Sequence, residues 1–320
     1  MSRGRIAVPG PGRITLVLLA VVPAVMAYPW HDSTERWIVG VAVAVVIVLL
    51  AWWRGLRVTN IVRRRLSLLI GRGRHGPGAH SLVDQSVADA RTTAVLRVLP
   101  DRDVELSPEL PLPLIAEYLD RYGIRCDAIR VTSRDTPVGR STWIGLTVSA
   151  AANLAALRAR SANIPLRETV EIALRRLADH LRESGWAIST ADVDVPDLLG
   201  PQLTERWRAV QDGARGYVAA YAASPEALTQ LWAHPSAEVW TVLQFSGSVD
   251  DPQVAVACAV RSDEVPSGVP VSGLLPQLGG QRAALAALHP LSAGVVAAQP
   301  VSWSAVAELR WPANRVPVRT

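Results

Sequence analysis

Three aspartates near the middle of the chain could do chemistry. They are Asp192, Asp194 and Asp197 in the stretch DVDVPD. Alternate residues of an extended chain point to one side, so Asp192 and Asp194 would place two carboxylates together. Such oxygens bind a divalent cation, which could hold the diphosphate of a sugar nucleotide. One interpretation is therefore a membrane-anchored, metal-dependent glycosyltransferase. The competing one, which we favour, is a pair of solvated acids at a strand end, because the pattern often arises by chance.

The remaining polar residues give no catalytic or metal-binding pattern. The histidines are scattered: His75 and His80 flank a glycine-rich linker, and His234 and His289 precede prolines. No G-x-S-x-G, H-E-x-x-H or C-x-x-C motif is present. All 33 basic residues are arginine, which excludes a Walker A lysine, a Schiff-base lysine and an anchor for pyridoxal phosphate. We predict no catalytic residue, no metal site, no cofactor and no enzymatic activity.

The charge distribution and the cysteine content further limit the kind of protein that this chain can be. Residues 1–76 hold 11 arginines and two acids, for a net charge of +9, whereas residues 77–320 hold 22 arginines and 26 acids, for −4. A nucleic-acid-binding domain would need a basic footprint on its globular part, so nucleic acid is not an expected partner. Cys126 and Cys258 lie in apolar, strand-like segments, which predicts buried reduced thiols.

The N-terminal region predicts a membrane hairpin. Residues 14–30 and 37–53 are two runs of 17 residues without a charge. Each gives about 26 Å of helix, enough for a hydrocarbon core of about 30 Å together with its flanks. The six-residue connector 31–36 is short, so the two helices must be antiparallel.

The arginines flanking this hairpin predict its orientation. Three precede the first run and seven lie between residues 54 and 74, whereas the connector has one arginine and two acids. The positive-inside rule then places residues 1–13 and everything after residue 53 in the cytoplasm. The sequence predicts a multi-pass protein of the inner (plasma) membrane with most of the chain cytoplasmic.

Residues 54–76 form a basic segment that continues from the second run into a glycine-rich linker. Apolar residues recur between its arginines near helical spacing, which predicts an amphipathic helix. It could lie on anionic lipid head groups or dock a partner at the membrane, and the sequence leaves both open. The predicted membrane or partner interface consists of Trp52, Trp53, Arg54, Arg57, Val58, Val62, Arg63, Arg64, Arg65, Leu66 and Leu69.

Residues 77–320 predict a cytoplasmic mixed α/β (α+β) domain. Both parts of it read β-α-β-β-α-β, the ferredoxin-like order. Two tandem ferredoxin-like halves, 90–200 and 215–300, or one mixed sheet would explain this. The first part predicts strands 92–99, 126–132, 142–149 and 186–193 and helices 107–122 and 163–184. The second predicts strands 216–223, 238–245, 253–260 and 295–298 and helices from 224 and over 276–288.

Several of these features together resemble a known family. The hairpin is followed by Trp53-Arg54-Gly55-Leu56-Arg57 and then by Arg63-Arg64-Arg65, a Gly-Arg linker and a lysine-free α/β domain. In that domain a Trp-Ile-Gly-Leu-Thr strand from Trp143 leads into the long helix. This resembles EccE, the membrane component of actinobacterial type VII (ESX) secretion systems, and most of all the member in the third ESX system.

The resemblance implies a non-catalytic subunit of an inner-membrane translocon. It would contribute to assembly and stability beside EccB, the ATPase EccC, and EccD. The resemblance carries no assigned active site. Two alternatives stay open: the glycosyltransferase built on Asp192 and Asp194, and a protein acting alone on the lipid surface through its basic helix.

Overall fold

The structure is a computed structural model whose described part excludes most of the N-terminal region. It describes residues 52–53, 56–57, 90–99, 109–161, 165–191, 193–234, 236, 238–298, 301–307 and 309–312. The chain divides into two units, Met1–His75 and Gly76–Thr320. Within the described ranges no helix is both long and apolar enough to cross a membrane. The predicted span 14–30, and the span 37–53 apart from its last two residues, lie outside those ranges.

In the first unit, the described backbone is a short antiparallel pair. Strand β1 (Trp52–Trp53) pairs with β2 (Leu56–Arg57), with Trp53 opposite Leu56. The second apolar run was predicted to stay helical through Trp53, and this detail is corrected: the chain is already extended at Trp52.

The second unit is built on one ten-stranded sheet within its described residues. The strands of this unit are β3 (Arg91–Val98), β4 (Asp120–Arg121), β5 (Ile124–Arg125), β6 (Ala128–Thr136), β7 (Gly139–Ser149), β8 (Ile188–Ser189), β9 (Leu203–Glu205), β10 (Val210–Asp212), β11 (Tyr217–Ala223), β12 (Glu238–Gly247), β13 (Pro252–Ser262) and β14 (Leu274–Pro276). The helices are α1 (Leu112–Ala116), α2 (Leu154–Arg160), α3 (Leu166–Glu183), α4 (Pro225–Ala233), α5 (Gln281–Leu288) and α6 (Ser304–Ala307).

The sheet order runs β8-β3-β7-β6-β12-β13-β11-β10-β9, with β14 pairing β11 as well; β4 and β5 form a separate hairpin. The elements β3-α1-β6-β7-α3-β8 thus form a β-α-β-β-α-β unit, and neighbouring strands in it are antiparallel. β6 then pairs with β12, which joins the two parts edge to edge in a single sheet.

The second part departs from the ferredoxin-like order in two ways. Helix α4 packs on the same face as α3, but α5 packs on the opposite face, against Val218, Trp240 and Ala259. The predicted strand 295–298 is also wrong: these residues lie in no strand, and β10 and β14 pair with β11 where a fourth strand would go.

Several predicted elements are shorter than the sequence indicated. The helix predicted to reach residue 122 becomes α1 and a 3₁₀ turn, Glu117–Leu119, because Tyr122 and Gly123 adopt positive φ and turn the chain into the hairpin β4–β5. The strand predicted over 186–193 keeps only Ile188–Ser189. The helix predicted over 276–288 begins at Gln281, since Leu274–Pro276 joins the sheet.

Two cores sit on opposite faces of the sheet. The larger one is covered by α1, α3, α4 and by Trp311, which follows α6 in sequence. Helix α3 buries its apolar stripe there, with Val170, Leu177 and Leu181 essentially inaccessible to solvent. The smaller core contains Trp143, Trp240 and helix α5, and the segment carrying Asp194 and Asp197 lies over this face.

Candidate functional site

The predicted membrane or partner interface lies almost wholly outside the described residues. Of that set, Trp52, Trp53 and Arg57 are described, as the backbone of β1 and β2. The others fall in the ranges that the structure leaves undescribed. Their role stays a prediction.

The DVDVPD segment is fixed to the sheet by its backbone. Asp192 lies outside the described residues. The Trp143 indole N–H donates to the Asp194 carbonyl at 3.2 Å, and the Arg261 guanidinium donates to the Leu198 carbonyl at 2.8 Å. The Gly200 N–H donates to Asp212 at 2.9 Å. Residues 194–200 therefore lie along the smaller core and are held there by these hydrogen bonds. We call this segment the tethered strap.

Beneath this strap lies a chain of ion pairs that we call the ionic network: Asp212, Arg261, Glu238, Arg134 and Arg215. The Arg261 guanidinium donates to Asp212 Oδ2 at 2.9 Å and to Glu238 Oε2 at 2.6 Å. Arg134 donates to Glu238 Oε1 at 2.6 Å, and Arg215 lies 2.8 Å from Asp212 Oδ2. Charge-assisted hydrogen bonds of this length are among the strong ones in proteins.

Both carboxyl groups of the ionic network have lowered pKa values. Burial by itself would raise the pKa of Asp212, but hydrogen bonds from Gly200, Arg261 and Arg215 outweigh it and bring the pKa below its usual value. Burial likewise opposes the lowered pKa of Glu238, and hydrogen bonds from Arg261, Trp240 and Arg134 prevail. The two carboxylates are held as anions.

The ionic network leaves few free carboxylate oxygens that could bind a metal ion. An open cleft of about 620 Å³ beside it is lined by the acids Asp197 and Asp212. Asp212 has both oxygens engaged, so Asp197 is the one carboxylate of the two left for a ligand in the cleft. Within the described ranges, no group of three or more His, Cys, Asp or Glu could hold a metal. The glycosyltransferase interpretation gains no support from this geometry.

Comparison with known proteins identifies the family. The model of the EccE family, described as a putative type VII ESX secretion system translocon, matches residues 136–223. The ESX-3 secretion system protein EccE3 of Mycolicibacterium smegmatis is 46% identical over 287 residues, which cover 88% of each chain. The proteins of the same name from two strains of Mycobacterium tuberculosis are 47% identical over 298 residues, 89% of this chain and 86% of theirs.

This chain belongs to the EccE family. The resemblance found in the sequence is confirmed, including its likeness to the member of the third ESX system. The family match runs from the last residue of β6 through β11. It therefore contains Trp143, Asp212 and the tethered strap of this EccE-family chain.

The buried Arg130 fastens a second strap, residues 289–294, of this EccE-family chain to the same face. Arg130 on β6 is 3% exposed and donates to the carbonyls of His289, Ser292 and Gly294 and to the Gln244 side chain. Burial lowers its pKa to about 10. Gly145 on the neighbouring strand makes room for this strap, because a Cβ there would lie 2.9 Å from the Pro290 carbonyl oxygen.

Cys126, Cys258 and His289 lack the surroundings of catalytic residues. Cys126 and Cys258 are buried and free, as predicted, although Cys126 lies just before β6 and not in a strand. Burial, with a smaller effect from Asp127, raises the pKa of Cys126 to about 12, and burial also raises the pKa of Cys258. Burial lowers the pKa of His289, with a contribution from Arg130 that Asp197 opposes. A reactive thiolate needs the opposite shift.

Sequence reasoning missed the ionic network and the Arg130 strap. Asp212 and Arg261 are 49 residues apart, and Arg130 and Gly294 are 164 apart. No local motif links such positions. The signal available in the sequence was weak: charged residues inside strands otherwise made of apolar residues, where an unpaired charge would be costly.

Proposed function

We propose that this chain is a non-catalytic structural subunit of an inner-membrane type VII (ESX) secretion complex, where it contributes to assembly and stability of the translocon. The observation that carries the proposal is the identity of 46% with an ESX-3 secretion system protein over 88% of both chains. Similarity that extends through nearly the whole length favours a shared role for the whole chain.

The charged groups of the second unit support a structural role. Arginines neutralise the acids Asp212 and Glu238, and Arg130 donates hydrogen bonds to backbone carbonyls. Active sites also perturb the pKa values of such groups, but in these residues the shifts arise from burial and from hydrogen bonds within the chain. Here they join distant segments of the chain to one sheet.

Membrane attachment belongs to the same proposal. The uncharged runs 14–30 and 37–53 and the arginines around them favour a hairpin with both ends in the cytoplasm and the α/β unit following on the cytoplasmic side. Cysteines placed by Ser33→Cys and Ser81→Cys test this. An impermeant thiol reagent added outside should label the first and spare the second, and the opposite pattern contradicts the hairpin. The native thiols are buried, which keeps background labelling low.

The proposed partners are the other membrane subunits, EccB, EccC and EccD, together with anionic lipid head groups. The basic segment 54–76 is the proposed contact, because its arginines suit a negatively charged membrane surface and its apolar stripe suits a protein groove.

Complementation tests the structural role against the enzymatic one. A strain without the chain is supplied with the wild type or with the double variant Asp192→Asn and Asp194→Asn. Both should restore the size of the membrane complex and the export of its substrates, because amides keep the shape of the segment. Normal assembly with export lost in the variant would contradict the non-catalytic assignment.

A further inference from the structure

One edge of the large sheet is open along most of its outer strand. β3 pairs with β7 over its full length, but on its other side β8 covers only Arg97 and Val98. Residues 92–96 therefore face no strand on that side within the described part of the chain. Exposed strand edges of this kind are templates for pairing with another chain.

The hydrogen-bonding groups on this open edge belong to Thr93 and Val95. In an antiparallel ladder, alternate residues direct their backbone groups to opposite sides. The Leu99 N–H donates to the Ala187 carbonyl at 2.8 Å, so odd-numbered residues point to the β8 side. Thr93 and Val95 thus present two N–H groups and two carbonyls outward, and none of these has a partner among the described residues.

A groove lies beside this edge. It has a volume of about 440 Å³ and runs between residues 92–95 and helix α3, with Thr190 at one end. Its accessible lining is mainly polar, with Thr92 on β3 and Arg167, Glu171 and Arg175 on α3, whereas Val170 and Leu174 are buried beneath. An exposed strand edge beside a groove can accept an extended peptide as an added strand.

The charges around the groove are mainly positive. Arg167 and Arg175 both lie near Glu171, at 3.1 and 3.9 Å, so one acid serves two cations on the rim. An acidic strand would meet this excess of positive charge, whereas a basic one would be repelled.

A second copy of this chain does not suit the edge. Antiparallel pairing of two β3 strands about Ala94 would set Arg91 of one copy opposite Arg97 of the other, a position that Ser189 of β8 already occupies. Like charges directly opposite each other destabilise a strand pair. The arginines of α3 would add to the repulsion.

We propose that an extended acidic segment of a partner protein binds along β3 as an added strand. Its backbone bonds Thr93 and Val95, and its carboxylates lie near Arg167 and Arg175 of α3. This inference does not depend on which complex the chain joins, so its failure would leave the proposed structural role standing.

The test uses the full-length chain in a non-ionic detergent. The probe is a fluorescent peptide of about eight alternating valine and glutamate residues, long enough to span the open edge. A peptide of the same length with lysine in place of glutamate is the control for charge. Binding is followed by anisotropy, and hydrogen exchange reports on the Thr93 and Val95 amides.

Matched variants separate backbone pairing from side-chain contact. Thr93→Pro removes the outward N–H while leaving the bonds to β7 in place. Thr93→Ala keeps that N–H, and both variants lose the 2.9 Å contact with the Thr147 hydroxyl. We expect Thr93→Ala to bind like the wild type and Thr93→Pro to bind about tenfold more weakly. Arg175→Glu, which leaves the β3 backbone intact, should also weaken binding of the acidic peptide.

On addition of the acidic peptide, the Thr93 and Val95 amides should exchange more slowly. Equal binding of the acidic and basic peptides, wild-type affinity in both a folded Thr93→Pro variant and Arg175→Glu, or unchanged exchange at Thr93 and Val95 would each overturn the proposal. So would dimerisation that protects these amides without peptide.

Discussion

Trp143 on β7 and Trp240 on β12 stack across the strand between them, with ring centroids 5.9 Å apart and ring planes 9° apart. The first ring belongs to the β-α-β-β-α-β unit and the second to the other part of the sheet. The stack lies in the smaller core, and Trp240 also donates to Glu238 at 3.0 Å. The two parts of the second unit are thus joined by side-chain packing as well as by the β6–β12 ladder.

Removing one ring of this stack should destabilise the whole second unit. Trp240→Ala deletes a side chain that is 1% exposed and leaves Glu238 with one donor fewer. Loss of such a core side chain costs about 3–5 kcal/mol of unfolding free energy. Urea unfolding of the full-length chain measures it. Trp303→Ala, at a half-buried ring, is the control, and an equal loss in both variants would contradict the special role of the stack.

Thr132 lies on β6, the strand between the two that carry these rings. Its buried hydroxyl has no hydrogen-bond partner among the described residues. Thr132→Val replaces this hydroxyl with a methyl group of similar size. Because a buried unsatisfied donor is costly, the variant should be more stable by about 1 kcal/mol. Thr142→Val is the matched control, since its hydroxyl bonds Ser133 at 2.8 Å, and it should be less stable. A loss of thermal stability in Thr132→Val would contradict this reading of the site.

How far the sequence predicted the fold can be seen residue by residue. The helix predicted from residue 224 is confirmed as α4, and the Ser224 hydroxyl caps it by accepting from the Ala227 N–H at 3.3 Å. Such a start depends only on neighbours in sequence. The amphipathic stripe of α3 likewise follows from local spacing. Local spacing does not predict the face of the sheet against which α5 packs, because Leu285 and Leu288 would be apolar on either face. The ionic network depends on pairs that only the folded sheet brings together.

Acid should weaken this EccE-family chain through the ionic network. Asp212 and Glu238 have folded pKa values below their usual ones, so the stability they contribute is full above a pH of about 4 to 5. It is lost as the pH falls through the lower folded values, since the unfolded state takes up protons first. Melting temperature against pH measures this. In Asp212→Asn, the decline on acidification should be shallower, and an unchanged profile would contradict the assignment.

The strap held by Arg130 needs a glycine beneath it. In Gly145→Ala, the new Cβ would meet the Pro290 carbonyl oxygen at 2.9 Å, and a backbone atom cannot swing away as a side chain can. Overpacking of this kind costs about 1–3 kcal/mol. Gly268→Ala, at a glycine with no atom within 4 Å of an added Cβ, should change the melting temperature little. Similar melting temperatures for the two variants would show that the strap is loosely held.

The measurement that tests the structural role most directly is co-purification of the full-length chain from detergent-solubilised membranes, with its companions quantified by mass spectrometry. We expect EccB, EccC and EccD to accompany the wild type in constant proportion. The double variant Leu66→Asp and Leu69→Asp, which keeps every arginine of the basic segment, should lose them, because a charge in an apolar groove is costly. Ser67→Asp, which adds an acid beside that stripe, should retain them. A wild-type chain that purifies without these subunits would contradict the account.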